Sequence, residues 1–135
     1  MTALANPYQH VKAAAQGDVN AMRALADHSV AMLGQNVADP ERTLLEGLIF
    51  ARMAAVVGDN ADKGRVLSML ALIGCFASSE ASEADYFAEG IAMASILADR
   101  GEELAADGVN LLSEQASPEI LAMAKAYELV LKDIY

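Results

Sequence analysis

Each of the three prolines in this sequence follows a favoured helix N-cap residue, in the pairs Asn6-Pro7, Asp39-Pro40 and Ser117-Pro118. The side-chain oxygen of Asn, Asp or Ser accepts a free backbone N–H of the first helical turn. Proline is favoured at the next position because its missing N–H would have no helical partner. The three pairs therefore predict three helix starts, and a chain with this punctuation is expected to be built from helices.

Short polar and glycine-containing breaks divide the rest of the chain. Ser82-Glu83-Ala84-Asp85 resembles a capping box that starts a further helix. Apolar residues between the breaks recur with helical periodicity, and no segment alternates as a strand would. The sequence predicts an all-α fold with helices at about 7–16, 18–33, 40–57, 60–77, 83–100, 102–115 and 118–133.

The connections between the predicted helices are mostly short, and short connections make neighbouring helices antiparallel. We therefore expect stacked antiparallel helix hairpins that form a single domain over residues 1–135. The length of 135 residues suits one domain with one real core. The sequence leaves open whether the hairpins form a short α-solenoid or a compact α-bundle.

Charge is distributed unevenly along the chain. The net charge is −10, with 19 acidic and 9 basic residues. Residues 1–65 have a net charge of −1 and residues 66–135 a net charge of −9, and no Lys or Arg occurs between Arg65 and Arg100. Binding to nucleic acid or to an anionic membrane is disfavoured, because both require clustered basic residues. The acidic half either keeps an apolar protein in solution or forms a face for a basic partner.

The single cysteine, Cys75, lies in an apolar run and is expected to be buried. One cysteine cannot form an intramolecular disulfide, which agrees with a reducing cytoplasm. The first residues have neither the basic nor the apolar region of a signal peptide. No apolar run reaches the roughly 20 residues that a membrane span needs. A cytoplasmic location is therefore predicted.

Two segments of the chain echo each other 43 residues apart. Glu46-Gly47-Leu48-Ile49-Phe50-Ala51 corresponds to Glu89-Gly90-Ile91-Ala92-Met93-Ala94, and Gly58 then corresponds to Gly101. Periods of about 40 residues with two helices each are typical of solenoids. Gly58 and Gly101 are accordingly predicted to occupy equivalent hairpin turns. The alternative is an irregular bundle in which the echo arises by chance.

The turn pattern Ala-Ala-x-x-Gly-x-x-x-Ala carries a resemblance to a known family. Ala14, Gly17 and Ala21 fit it, Gly58 and Ala61 fit it with one residue fewer, and Gly101 and Ala105 fit it more loosely. Over residues 8–115 the chain resembles the tetratricopeptide-like helical repeats of the SEL type, although the aromatic signature positions of that family are largely missing. The resemblance implies a protein-interaction scaffold with a concave groove and without catalysis.

Residues that carry enzyme or metal chemistry are sparse. Neither His10 nor His28 follows a Glu at the Glu-x-x-His spacing of di-metal bundles, and one Cys with two distant His does not form a zinc site. Asp27-His28-Ser29 cannot form a local triad, because adjacent helical residues point to different faces. His10 is expected at the surface. The sequence therefore predicts neither a catalytic residue nor a metal site nor a cofactor.

The leading hypothesis is a small acidic cytoplasmic repeat module that binds another protein, and a homo-oligomer is compatible with it. In such repeats the first helix of each hairpin lines the groove, and acidic residues gather around Tyr86. The predicted partner-binding residues are Tyr8, Phe50, Arg52, Glu80, Glu83, Asp85, Tyr86, Glu89 and Met93. The alternative is an acidic inhibitor or nucleic-acid mimic that blocks a basic surface on its target.

Overall fold

The computed structural model describes residues 3–135 and confirms the all-α prediction. Its helices are α1 (Pro7–Ala15), α2 (Val19–Met32), α3 (Pro40–Val57), α4 (Asn60–Gly74), α5 (Glu80–Asp99), α6 (Glu103–Gln115) and α7 (Pro118–Ile134). Residues 3–135 contain no β-strand. Every predicted helix is present, and most boundaries lie within about three residues of the prediction.

The three proline-based helix starts form as predicted. Asn6, Asp39 and Ser117 are the N-caps of α1, α3 and α7, and proline occupies the first turn of each of these helices. Each cap side chain accepts one backbone N–H at 3.1 to 3.2 Å. Because this chemistry is local, the sequence alone places these three helix starts correctly.

The predicted capping box at Ser82 is wrong. Helix α5 begins at Glu80, and its N-cap is Ser79, whose hydroxyl accepts the backbone N–H of Ser82 at 3.1 Å. Ser82 therefore lies inside the first turn. Ser79 and Ser82 are both followed by acidic residues, and the earlier serine caps the helix.

A reciprocal capping box is present at the start of α4. The Asp59 carboxylate accepts the backbone N–H of Asp62 at 3.3 Å, and the Asp62 carboxylate accepts that of Asp59 at 3.0 Å. Each side chain thus satisfies a backbone donor that the helix itself cannot pair. The arrangement also fixes the position of the Asp62 carboxylate.

Gly17 and Gly101 end helices α1 and α5 in the same way. Both adopt a left-handed backbone, with φ of +94° and +87°. After each glycine the next backbone N–H bonds to the carbonyl five residues earlier, at 3.1 Å in both turns. The glycine N–H bonds to the carbonyl three residues earlier, at 3.0 and 3.1 Å. The two turns are therefore Schellman motifs, in which glycine avoids the steric cost of a Cβ.

Gly58 does not share this conformation, so the two turns that were predicted to be equivalent differ in their backbone geometry. Gly58 has φ of −97° and donates to the carbonyl of Ala54 at 2.7 Å. A Cβ at this position would collide with the carboxylate of Asp62. Glycine is needed here because Asp62 lies against it, whereas Gly17 and Gly101 are needed for their backbone angles.

The chain divides into two compact units, with the boundary after Arg65 inside α4. In the first unit α1 packs on α2, and α2 packs on α3. One buried cluster of this unit consists of Ala14, Ala21, Met22, Leu25 and Ala54, with Phe50 and Met53 among the partly buried residues packed against it. Leu44, Leu48 and Ala51 of α3 are also buried.

The second unit, Val66–Tyr135, is organised around α5. Helix α5 packs against both α6 and α7, and nearly all of its residues from Ala88 to Leu97 are buried. One cluster in this unit consists of Ala88, Ile91 and Ala124, with Phe87, Leu112 and Tyr127 among the residues packed against it. Because α5 is buried over this segment, its exposed residues lie at its two ends: Glu80, Ala81, Glu83 and Asp85 near the N-terminus, and Asp99 at the C-terminus.

Candidate functional site

The second unit carries an apolar groove between the C-terminal half of α4 and the N-terminal half of α5. On each helix the lining residues are spaced i, i+3, i+4 and i+7, which places them on one helical face. The volume of the groove is about 280 Å³. Its lining consists of Leu67, Leu70, Ala71 and Gly74 from α4, Glu83, Tyr86, Phe87 and Gly90 from α5, Cys75, and Leu112 of α6.

Two glycines keep the groove open. A Cβ built on Gly74 meets no atom within 4 Å, and a Cβ on Gly90 meets only the Leu67 side chain, at 3.8 Å. Neither glycine has a positive φ. The backbone therefore does not require glycine at these two positions, and a larger side chain at Gly74 would project into open space.

Cys75 lies at the end of this groove with an exposed thiol, so the prediction of a buried cysteine is wrong. It follows the last residue of α4, where the apolar run continues but the helix has stopped. The thiol has a long contact of 3.6 Å to the carbonyl of Ala71. The apolar residues around Cys75 predicted a core position. Because α4 ends at Gly74, Cys75 lies outside the helix and is exposed.

The predicted acidic residues at the start of α5 are exposed. Glu80, Glu83 and Asp85 all face solvent, and the Tyr127 hydroxyl donates to Asp85 at 3.1 Å. Glu83 lines the groove and also a second hollow of about 220 Å³. The second hollow is formed by Glu80, Glu83, Ala84, Phe87, Gln115 and Ile120. Carboxylates therefore lie beside apolar surface on the same helix, and no Lys or Arg lines either hollow.

Glu89 and Met93 do not belong to an exposed surface. Met93 is completely buried and Glu89 is 7% exposed. Both residues were predicted to bind the partner, but they lie in the buried part of α5. Tyr86, one turn before Glu89, is half-buried and lines the groove.

The remaining predicted site residues belong to the first unit. Tyr8 is 82% exposed on α1, Phe50 is half-buried and packs against the core of that unit, and Arg52 is half-buried. The residues that the structure brings together are thus the acidic and aromatic residues of α5. Sequence reasoning missed the α4 side of the groove, although Leu67, Leu70, Ala71 and Gly74 carry a recognisable helical spacing.

An ionic cluster in the first unit also escaped the sequence analysis. The Asp62 carboxylate is 1% exposed and accepts two bonds of 2.7 Å from Arg23 and one of 3.2 Å from Arg65. Arg65 also donates to Asp27 at 3.1 Å. The hydrogen bonds from Arg23 lower the pKa of Asp62 from 3.8 to about 2, although burial acts in the opposite direction. The same pairing raises the pKa of Arg23. The carboxylate of Asp62 is paired with both arginines, so the cluster connects α2 to α4.

The histidines lie apart from the groove. The Nδ1 atom of His28 accepts the backbone N–H of Leu4 at 2.8 Å, and neighbouring Asp27 pairs with Arg65. His10 is half-buried, and its Nδ1 atom is buried without a hydrogen-bond partner, which differs from the expected surface position. Across residues 3–135 no three His, Cys, Asp or Glu side chains are grouped so that they could hold a metal ion. In the same range, every helix is too short or too polar to cross a membrane.

Comparison with known proteins found no matching family model, no matching curated sequence and no matching solved structure.

Proposed function

We propose that this protein is an interaction module whose second unit binds a basic surface of another protein, and that its role is binding rather than catalysis. The observation that carries the proposal is the position of Glu83, which is exposed and lines both the apolar groove and the adjoining hollow. Apolar surface supplies affinity, and the carboxylates select a partner and speed its approach.

The charge of the second unit supports this choice of partner. Residues 66–135 contain 12 acidic and 3 basic residues, which gives a net charge of −9. Separate exposed charges are screened within about 10 Å at physiological salt, so the acidic residues beside the groove act over short range. The attraction between a basic partner and the carboxylates of Glu80, Glu83 and Asp85 would therefore be strongest at contact.

The resemblance to SEL-type helical repeats remains part of the proposal. It is supported by the shared Schellman turns at Gly17 and Gly101, and by Ala21 and Ala105, which are both buried four residues after the glycine. At the α3–α4 turn, the residue four positions after Gly58 is Asp62. The sequence pattern selected Ala61 instead, and Ala61 is exposed. The α3–α4 turn therefore departs from the repeat pattern at the residue that carries the ionic cluster.

A cytoplasmic location completes the proposal. Cys75 is an exposed free thiol, and an exposed thiol persists most easily in a reducing compartment.

The test is affinity capture from lysates of the native host with three forms of the full chain. These are the wild type, Glu80→Gln/Glu83→Gln, and the charge-matched control Glu103→Gln/Asp107→Asn, whose exposed positions on α6 lie outside both hollows. We expect a protein that binds the wild type and the control and that is depleted with the Glu80/Glu83 variant. Equal capture by all three forms would contradict the proposal.

Salt separates this proposal from the alternative, an acidic inhibitor or nucleic-acid mimic that blocks a basic surface. Such an inhibitor binds mainly through charge, so high salt would abolish capture. A partner held partly by the apolar groove would bind more weakly at high salt but would still be recovered. The net charge of −9 favours the alternative as a second candidate, whereas the apolar lining of the groove favours the interaction module.

A further inference from the structure

We infer that the groove between α4 and α5 receives one bulky apolar side chain from a segment of the partner that also carries Lys or Arg. This inference rests on the proposed function and specifies its binding site. The groove is the hollow lined by Leu67, Leu70, Ala71, Gly74, Cys75, Glu83, Tyr86, Phe87, Gly90 and Leu112.

The size and lining of the groove favour a side chain as its occupant. Its volume of about 280 Å³ lies at the lower limit of small-molecule sites, which usually span about 300–1,000 Å³. Apart from Glu83, the side chains that line it are aliphatic, aromatic or Cys75, so few polar groups are available to orient a cofactor. Interaction hot spots usually consist of an apolar or aromatic anchor that fills such a hollow.

Gly74 preserves the space that the anchor would occupy. Its φ is not positive, so the backbone would accept another residue, and a Cβ there meets no atom within 4 Å. Leu70, one turn earlier on the same face, is 2% exposed. Because Gly74 lines the groove, we expect a large side chain at position 74 to occupy part of it and to compete with an incoming residue.

Charge complementarity identifies the remainder of the occupant. Glu83 lines the groove itself, and Glu80 joins it in the adjoining hollow, while neither hollow has a basic lining residue. A Lys or Arg close to the apolar anchor would meet these carboxylates when the anchor is inserted. A second copy of this chain fits less well because it carries the same net charge of −10. A basic amphipathic segment of a different protein is therefore the occupant.

The test uses a displayed library of short randomised peptides, selected at low salt on the full wild-type chain. We expect enrichment of peptides that combine Lys or Arg with one Leu, Met, Ile or Phe. Peptides selected in this way should bind the Gly74→Leu variant about tenfold more weakly or worse, because its side chain fills the groove. The control is Gly64→Leu in the same helix, where a Cβ also meets no atom within 4 Å and which does not line the groove.

Two further measurements keep the test decisive if Gly74→Leu does not fold. Glu83→Lys changes an exposed residue and should also weaken binding of the selected basic peptides, because it replaces attraction with repulsion. Cys75 is the only thiol in the chain and lies in the groove, so a bound peptide should slow its alkylation by iodoacetamide.

The outcomes distinguish the inference from the proposed function. If no peptide is enriched, or if selected peptides bind Gly74→Leu as tightly as wild type and leave Cys75 alkylation unchanged, the groove inference is wrong. The capture experiment with the Glu80→Gln/Glu83→Gln variant then still decides whether the acidic surface binds a protein. If basic peptides enter the groove but all three forms of the chain capture the same proteins, the groove inference holds and the proposed function is wrong.

Discussion

Arg23 donates from Nε and Nη2 to the two carboxylate oxygens of Asp62, and both bonds are 2.7 Å long. The two residues are 39 positions apart, on α2 and α4. The carboxylate that receives them also accepts the backbone N–H of Asp59, so one buried group completes a helix cap and holds two helices together. A paired fork of this kind is among the stronger polar interactions in proteins.

The first prediction concerns the pH dependence of this pair. The folded protein lowers the pKa of Asp62 from 3.8 to about 2, so the carboxylate stabilises the fold above pH 4 and loses this contribution as pH falls towards 2. At neutral pH, Asp62→Asn should lower the free energy of unfolding by about 2 kcal/mol. Urea unfolding of both proteins from pH 7 to pH 2 should show the difference shrinking below pH 4. A difference that is constant with pH would contradict the assignment.

The second prediction compares two glycines near the start of α4. Gly58→Ala should destabilise the protein by roughly 2 kcal/mol, because the new Cβ would displace the Asp62 carboxylate and crowd the carbonyl of Ala54. Gly64→Ala should stabilise it by about 0.5–1 kcal/mol, because its Cβ meets no atom within 4 Å and alanine favours a helix. Thermal unfolding of the two variants measures both effects. Shifts of the same sign would be inconsistent with the structure.

The third prediction concerns the two Schellman turns. Gly17→Ala and Gly101→Ala should each cost about 1–2 kcal/mol, because a Cβ disfavours the left-handed backbone at φ of +94° and +87°. There is open space around both positions, so the cost arises from the backbone rather than from a clash. Asparagine tolerates this conformation better, and Gly17→Asn should lose less stability than Gly17→Ala in chemical denaturation. If Gly17→Asn and Gly17→Ala lost the same stability, the left-handed backbone would not be the cause of the loss.

The fourth prediction tests which serine starts α5. Ser79→Ala should cost about 1 kcal/mol, since Ser79 accepts the backbone N–H of Ser82. Ser82→Ala should cost less, because Ser82 lies within the helix, where alanine has the higher propensity, and the variant loses only the exposed hydrogen bond that the Ser82 hydroxyl accepts from Ser79. Urea denaturation of the two single variants provides the comparison. If Ser82→Ala were the less stable of the two variants, Ser82 rather than Ser79 would be the N-cap of α5.

The sequence predicted the helices well because their starts depend on neighbouring residues. Asn6, Asp39 and Ser117 each cap a helix through a bond to a backbone group two or three residues away. The start of α5 was misplaced because Ser79 and Ser82 offer the same local chemistry. Which of the two serines caps the helix depends on where the preceding loop ends, and the local sequence pattern does not show this.

The site was only partly predictable because exposure depends on packing between distant segments. Glu80 and Glu83 were identified from charge, and they are exposed. Met93 was predicted to lie on the partner-binding surface and is buried, whereas Cys75 was predicted to be buried and is exposed. Both predictions failed because an apolar run does not show which of its residues faces the core. The pairing of Arg23 with Asp62 spans 39 residues and leaves no periodic signal in the sequence.

Cys75 has a further consequence for the chemistry of the chain itself. It is the sole cysteine, it follows Gly74 directly, and it lies just beyond the last residue of α4. A Gly-Cys junction is suited to native chemical ligation, in which a glycine thioester is captured by an N-terminal cysteine and rearranges to a normal peptide bond. Residues 1–74 and 75–135 can therefore be made separately and joined without changing the sequence. Isotopes or a photocrosslinking residue could then be confined to the segment that contains α5 to α7.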